Sequence, residues 1–277
     1  MHTITVDGRA IAYRDTGSGP PVLLAHCSSA SHREWNPLIE RLRGRYRLLA
    51  PDLIGYGRSD PLPGGAPLEP DAEVNVLRHL TAIAGQPLHL VGHSYGAAVA
   101  LEAARVLGDR VRSLTLIEPV SFHLLQQPGA AAEWSEISAL ADRIRTAVAR
   151  GRPDRATAAY MGFWIGRLRW WVMPRRQQRG IVATVAKVAA EFAMIERLPT
   201  TLAEYAAITA PALLIAGART RRPARAVVDL LASALPDAQL HILPGAGHMS
   251  PFTHAQAIVD LIGQHLAQCE RRPGAFE

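Results

Sequence analysis

Cysteine is almost missing from this chain. Cys27 and Cys269 are the only two, too few and too far apart for a disulfide framework or a thiolate metal site. That usage suits a reducing cytoplasm. Lysine is scarcer still: Lys187 is the single one, so arginine carries the formal charge of +6. The arginines are scattered, which argues for compositional bias over a nucleic-acid surface. Their densest run, Arg167 through Arg179, is interleaved with Trp170 and Trp171 and leaves an electrostatic or stacking role open there. Long apolar runs are also lacking. The best, Ile208 to Ala218, contains Pro211 and falls well short of the roughly 20 residues that cross a bilayer. The opening MHTITVDGRA has neither the basic start nor the apolar run of an export signal, and it alternates like a strand. These absences predict a cytoplasmic protein with neither membrane nor nucleic acid as partner.

What is present is a globular core. With 277 residues, 48% of them hydrophobic, the chain can bury one large domain or two small ones. Short β-rich runs at Thr3–Val6, Ala10–Arg14, Val22–His26 and Arg47–Ala50 are separated by glycine and proline clusters. Trp35, Leu38, Ile39 and Leu42 recur at helical spacing between the third and fourth. An apolar helical face at Val74, Val76, Leu77 and Leu80 precedes a strand Leu88–Val91, a helix Tyr95 to about Leu107 and a strand Ser113–Glu118. Pro211–Ala216 and Gln239–Leu243 read as strands, Ala224–Leu235 and His254 to about Cys269 as helices. This alternation predicts an α/β fold with a mostly parallel sheet covered on both faces.

Residues 121–207 break the rhythm with helical patterns, most of the tryptophans and no convincing strand. They read as a helical cap inserted into a core formed by 1–120 and 208–269, over the sheet edge where open α/β sheets bind ligands. The charged tail 270–277 is expected to be disordered.

Gly92-His-Ser-Tyr-Gly96 follows one predicted strand and opens one predicted helix, the context in which G-x-S-x-G means a nucleophile elbow. Ser94 is therefore the candidate nucleophile; the bland alternative is a simple turn. A serine hydroxyl needs a base. Among eleven histidines, His248 stands out on the loop Pro244-Gly-Ala-Gly-His between the last strand and the last helix. His93 should point away into the turn, and His79, His241 and His265 sit in periodic segments that suit packing or surface roles. The third member is less direct, because the loop after Pro211–Ala216 reads Gly217-Ala-Arg-Thr-Arg-Arg-Pro, without an acid. Glu118, ending the strand after the nucleophile strand, fills that place; a capping or salt-bridging glutamate is the alternative, and Asp229 is the reserve. The backbone N–H groups of Tyr95 and Ser28 are the candidate oxyanion donors.

Taken together, the His26 loop, Pro51-Asp-Leu-Ile-Gly-Tyr-Gly-Arg-Ser-Asp60, the Gly92–Gly96 elbow, Leu116-Ile-Glu-Pro119 and Gly245-Ala-Gly-His248 resemble the α/β-hydrolase superfamily. The resemblance spans about Val6 to Leu266. It implies an eight-stranded sheet, a Ser–acid–His triad, a helical cap, no cofactor and no metal, with Asp52 and Asp60 at mostly structural positions. Two departures stand out. Cys27 replaces the glycine usual after His26, and the usual acid position is vacant, although one branch of the haloalkane dehalogenases takes its acid from the strand end that Glu118 matches. Dehalogenases and epoxide hydrolases carry aspartate where this chain has Ser94.

The expected activity is hydrolysis of a small, largely apolar ester or lactone through an acyl-enzyme. Carbon–carbon bond hydrolysis or a lyase or cyclase step with the same triad is the alternative, and ligand binding without turnover a third. Cys27, Phe122, Phe163 and Trp164 are the expected pocket residues, with Trp134, Trp170, Trp171 and Phe192 as further aromatic candidates for pocket or cap core. Cys27 reads as packing or as a reactive thiol.

Overall fold

A computed structural model describes residues 1–62 and 67–272. Eight strands form one sheet: β1 (His2–Val6), β2 (Arg9–Thr16), β3 (Pro21–Ala25), β4 (Arg47–Pro51), β5 (Leu88–His93), β6 (Val111–Ile117), β7 (Ala212–Gly217) and β8 (Ala238–Leu243). Their spatial order is β1-β2-β4-β3-β5-β6-β7-β8. β2 runs antiparallel to both β1 and β4, and every pairing from β4 through β8 is parallel. All the carboxyl ends of β3 to β8 therefore open on one edge, which is what gathers a site from distant parts of the sequence.

Side-chain alternation sorts the strands onto two cores. Leu23, Leu49, Leu90, Leu116 and Leu214 point to one face, and Val22, Leu48, Val91, Ile117 and Ile215 to the other. Helices α1 (Asn36–Leu42) and α11 (Ala255–Glu270) cover the second face with Leu38, Ile39, Ile258, Ile262 and Leu266. Helices α2 (Pro70–Ala84), α3 (Tyr95–Leu107) and α9 (Arg222–Ala234) cover the first. The alanine-rich sequence of α3 lets it lie entirely buried against the sheet through its first ten residues.

Between β6 and β7 the described chain is helical: α4 (Ala131–Ala149), α5 (Pro153–Trp164), α6 (Arg167–Val172), α7 (Arg175–Glu196) and α8 (Leu202–Tyr205). Ile137, Leu140 and Ile144 of α4 and Val188, Phe192 and Ile195 of α7 join the same apolar cluster as the first sheet face. The insert is thus packed onto the core as one continuous body. A short α10 (Ser250–Thr253) follows β8.

Two expectations need correction. β6 stops at Ile117, and Glu118 lies just beyond it with φ of 44°. Residues 270–272, expected in a disordered tail, are ordered: Glu270 closes α11 and accepts from Arg112, with His89 hydrogen-bonded to the same oxygen. Arg272 pairs with Asp237, and residues 273–277 lie outside the described residues.

Candidate active site

The elbow is built by close backbone approach. Ser94 has φ 54° and ψ −116°, a left-handed strain that non-glycine residues adopt only when their surroundings enforce it. Here the Ser94 N–H donates to the Ile117 carbonyl at 2.9 Å. A Cβ on Gly92 would lie 2.4 Å from the Gly96 carbonyl oxygen, and one on Gly96 2.2 Å from that of Ala25, so both positions require glycine. The strand-to-helix turn leaves the Ser94 side chain at the sheet edge.

His248 Nε2 lies 2.9 Å from Ser94 Oγ, and His248 Nδ1 lies 2.7 Å from Glu118 Oε2. The carboxylate fixes the tautomer: Nδ1 donates to Glu118, which leaves Nε2 to accept from the serine. Glu118 sits beside β7 and also accepts from the Gly217 N–H at 2.7 Å and from the Thr220 hydroxyl. Burial alone would raise its pKa, but His248, Thr220 and Gly217 together hold it below the usual carboxylate value. Burial pushes His248 below the ordinary histidine value, against the opposite pull of Glu118. The acid-free loop after β7 therefore contributes Thr220, a hydroxyl that positions the carboxylate supplied by its neighbour. Asp229 is instead paired with Arg225 at 2.8 Å on the exposed side of α9.

The loop after β3 is held by His26. Leu53 N–H donates to its Nε2 at 2.9 Å, so the proton lies on Nδ1 and goes to the Cys27 carbonyl at 2.7 Å. Cys27 takes the place of glycine without strain, because the left-handed residue of this loop is Ser29, with φ 58°. The Cys27 N–H is committed to Glu34 at 2.8 Å. Among the described residues, the N–H groups of Ser28 and Tyr95 have no acceptor within the fold.

His93 does point away from Ser94, into a buried pair that sequence spacing did not disclose. Its Nδ1 lies 2.6 Å from Glu34 Oε1 and its Nε2 2.9 Å from the His248 carbonyl oxygen. With Glu34 ionised both partners are acceptors, and an imidazolium that donates from both ring nitrogens satisfies them. Although burial opposes the charge, Glu34 raises the pKa of His93, and His93 in turn helps keep Glu34 low. Glu34 and His93 thus tie the Cys27 loop to the His248 loop beneath the nucleophile. Cys27, Glu34 and His93 bring ligand-type atoms within 4.8 Å of one another. Their chemistry does not suit a metal: the glutamate and histidine are spent on each other, and burial keeps the Cys27 thiol protonated.

The insert reaches the same place. Trp164, at the end of α5, stacks on His248 with centroids 3.7 Å apart and planes 20° from parallel. Glu191 of α7 accepts from Ser28 Oγ at 2.5 Å and from the Tyr56 hydroxyl at 2.7 Å. Lys187 bridges Glu191 and Glu73 at 3.3 and 2.9 Å. The one lysine of the chain is therefore buried, where the sequence suggested only scattered surface charge.

An inner chamber of about 10 Å³, room for one water, is lined by Ser28, Ser94, Phe122, Tyr160, Trp164 and Glu191 among others. Outside Trp164 opens a mainly apolar cleft of about 680 Å³ that also touches Ser94 and His248, with Cys27, Met161, Met173, Ile181 and Phe252 on its walls. Of the expected pocket residues, Cys27, Phe122 and Trp164 face these spaces. Phe163 instead packs edge-on behind Trp164, 4.9 Å between centroids, under Arg221. Of the further aromatics, Phe192 also lines the inner chamber, Trp134 and Trp170 pack against the core, and Trp171 is exposed. Asp52 and Asp60 tie backbone: Asp52 accepts from His32 and Arg58 N–H, Asp60 from Ala10 N–H at 2.7 Å.

A strained serine elbow on a parallel sheet, with the acid just past the adjacent strand β6 and the histidine on the loop after β8, defines the α/β-hydrolase class. The chain belongs to the alpha/beta hydrolase family, whose model matches residues 22–261, and it is a hydrolytic enzyme of that type. It is 27% identical to haloalkane dehalogenase 2 of Mycobacterium tuberculosis over 276 residues, 91% of each chain. Its fold is similar to that of a thermophilic esterase from Thermogutta terrifontis, with 24% identity, TM-score 0.77 and coverage of 97% and 99%. It is also similar to an α/β hydrolase from a Medee basin deep-sea metagenome, with 16% identity, TM-score 0.81 and coverage of 96% and 97%.

Proposed function

We propose that the protein is a serine hydrolase that cleaves a small, largely apolar ester or lactone through an acyl-enzyme on Ser94. The observation that carries this is the continuous chain of hydrogen bonds Ser94–His248–Glu118, 2.9 and 2.7 Å, on a strained elbow. His248 takes the proton of Ser94 as the hydroxyl attacks the carbonyl, and the N–H groups of Ser28 and Tyr95 stabilise the oxyanion. His248 then protonates the leaving alcohol; it next takes a proton from a water that attacks the acyl carbonyl, and returns it to Ser94 Oγ as the acyl–oxygen bond breaks and the carboxylic acid leaves. Glu118 stays ionised and holds the imidazolium.

The identity of the nucleophile separates this reading from the dehalogenase relatives. A carboxylate that displaces halide forms an ester, which water cleaves at the carboxyl carbon. A serine attacking a saturated carbon would form an ether, which nothing here hydrolyses, so Ser94 calls for a carbonyl substrate. The cleft of about 680 Å³ falls within the span usual for small-molecule sites, and its wall is mainly apolar.

The test is initial rates on p-nitrophenyl esters from acetate to octanoate, wild type beside Ser94→Ala. Hydrolysis by wild type that vanishes in the variant supports the proposal. A folded wild type that cleaves none of them refutes it.

A further inference from the structure

Most of the cap's surface is unremarkable, but α6 is turned the wrong way round. Residues 168, 171 and 172 share one helical face, at i, i+3 and i+4, the spacing that normally faces a core. Here Leu168 is 73%, Trp171 78% and Val172 62% exposed. They are three of the eight exposed large apolar side chains among the described residues, all within one six-residue helix. The helix is anchored from behind: Trp170 packs against the core, and its carbonyl accepts from Gln178 at 2.9 Å. Gly166 precedes it, and Met173 and Pro174 separate it from α7.

The charge around this face has one sign. From Arg155 to Ala190 the chain contains seven basic residues and no aspartate or glutamate. Arg167, Arg169, Arg175, Arg176 and Arg179 are exposed and have no acidic partner among the described residues. An apolar tip ringed by unneutralised arginines fits a surface with anionic headgroups outside and hydrocarbon beneath, where tryptophan is also favoured. A second copy of the chain is a poorer partner, since a two-fold contact would set arginine against arginine. A nucleic acid would use the arginines and Trp171, but it offers Leu168 and Val172 nothing to bury in.

Position gives the patch a use. Met173, Gln177 and Ile181, just beyond α6, line the outer cleft, and Arg169 borders a separate hollow of about 220 Å³ that reaches His248. Phe252, itself half exposed, stands on the cleft wall as well. We infer that α6 and its flanking arginines form an interfacial docking surface for an anionic lipid membrane, which sets the cleft mouth against the bilayer. The absence of a spanning helix among the described residues bears on crossing a membrane and is compatible with adsorption to one.

The test is sedimentation of the full-length protein with vesicles of phosphatidylcholine alone or with phosphatidylglycerol, at low and high salt. It needs no esterase activity, so it stands or falls apart from the proposed reaction. Wild type is expected to bind the anionic vesicles at least ten-fold more tightly than the neutral ones. Leu168→Ser with Trp171→Ala should weaken that binding about ten-fold. Arg175→Glu with Arg176→Glu should abolish it, while both variants keep wild-type circular dichroism. Brominated lipid should quench the fluorescence of wild type more than that of Trp171→Phe. Failure to bind anionic vesicles at low salt would overturn the inference, as would binding indifferent to Leu168 and Trp171. So would tighter binding to single-stranded DNA, or a solution dimer that the Trp171 change dissociates.

Discussion

In the proposed mechanism His248 must be neutral to accept the proton of Ser94, and its burial favours that state. The ordinary histidine pKa is about 6.5, and burial lowers it here. The rate kcat/KM should therefore be level at neutral pH and fall only at more acid pH than an exposed histidine would give. Glu118→Gln removes the anion that favours the imidazolium. The acid limb should move to still lower pH while the plateau drops by about 10³–10⁴-fold, as mutants with the wrong tautomer do. A plateau near wild type would remove Glu118 from the triad. The Glu34–His93 pair makes a stability prediction of its own. Glu34, lowered in the fold, stabilises above its unfolded pKa of about 4.3 and is lost as pH falls through its folded value. His93, raised in the fold, stabilises below its unfolded pKa of about 6.5 and is lost as pH rises through its folded value. The pair is thus at full strength between these two limits. His93→Gln should cost about 3–5 kcal/mol there, because it strands a buried carboxylate. Thermal melts of both proteins across pH should show the gap narrowing on either side, and a constant gap would contradict the ion pair.

At the scale of elements, two helices between β6 and β7 carry side chains to the candidate site. Trp164 on α5 stacks on His248 and lines both the inner chamber and the cleft. Trp164→Ala should join the two spaces and wet the imidazole. We expect kcat/KM to rise for octanoate relative to acetate esters, and the acid limb to move toward the ordinary histidine value. An unchanged chain-length profile would mean that Trp164 bounds nothing the substrate enters. Glu191 on α7 clamps Ser28 and Tyr56 from above. Glu191→Ala should destabilise the protein by about 3 kcal/mol or more, since it unpairs buried hydroxyls and half of the Lys187 bridge. A melting temperature within a degree of wild type would contradict the clamp. None of these contacts from α5 and α7 was legible in the sequence. Glu191 and Ser28 are 163 residues apart, and Glu191 sits in a helix whose pattern reads only as amphipathic. Trp164 was marked as a pocket aromatic, but nothing in spacing says that it stacks on a histidine, and its neighbour Phe163 carried the same signal while facing the other way.

For the whole molecule, legibility follows locality. Strand alternation, helical spacing and the elbow glycines are short-range patterns, and all eight strands lie where those patterns put them, shifted by a residue or two at their ends. The juxtaposition of Ser94, Glu118 and His248 was legible because a parallel sheet makes strand ends converge, so position along the strand order stands in for distance. What stayed hidden is long-range and polar: Glu34 beneath the elbow, Thr220 behind Glu118, and Lys187 buried between two glutamates. The same fold logic gives the central claim its sharpest form, since it assigns the covalent step to one atom, Ser94 Oγ. The most direct measurement is intact-mass spectrometry of enzyme acid-quenched during turnover of p-nitrophenyl butyrate, followed by peptide mapping. The account predicts a butyryl adduct on Ser94 in wild type and none in Ser94→Ala. Turnover by wild type with no adduct, or an adduct on another residue, would contradict it.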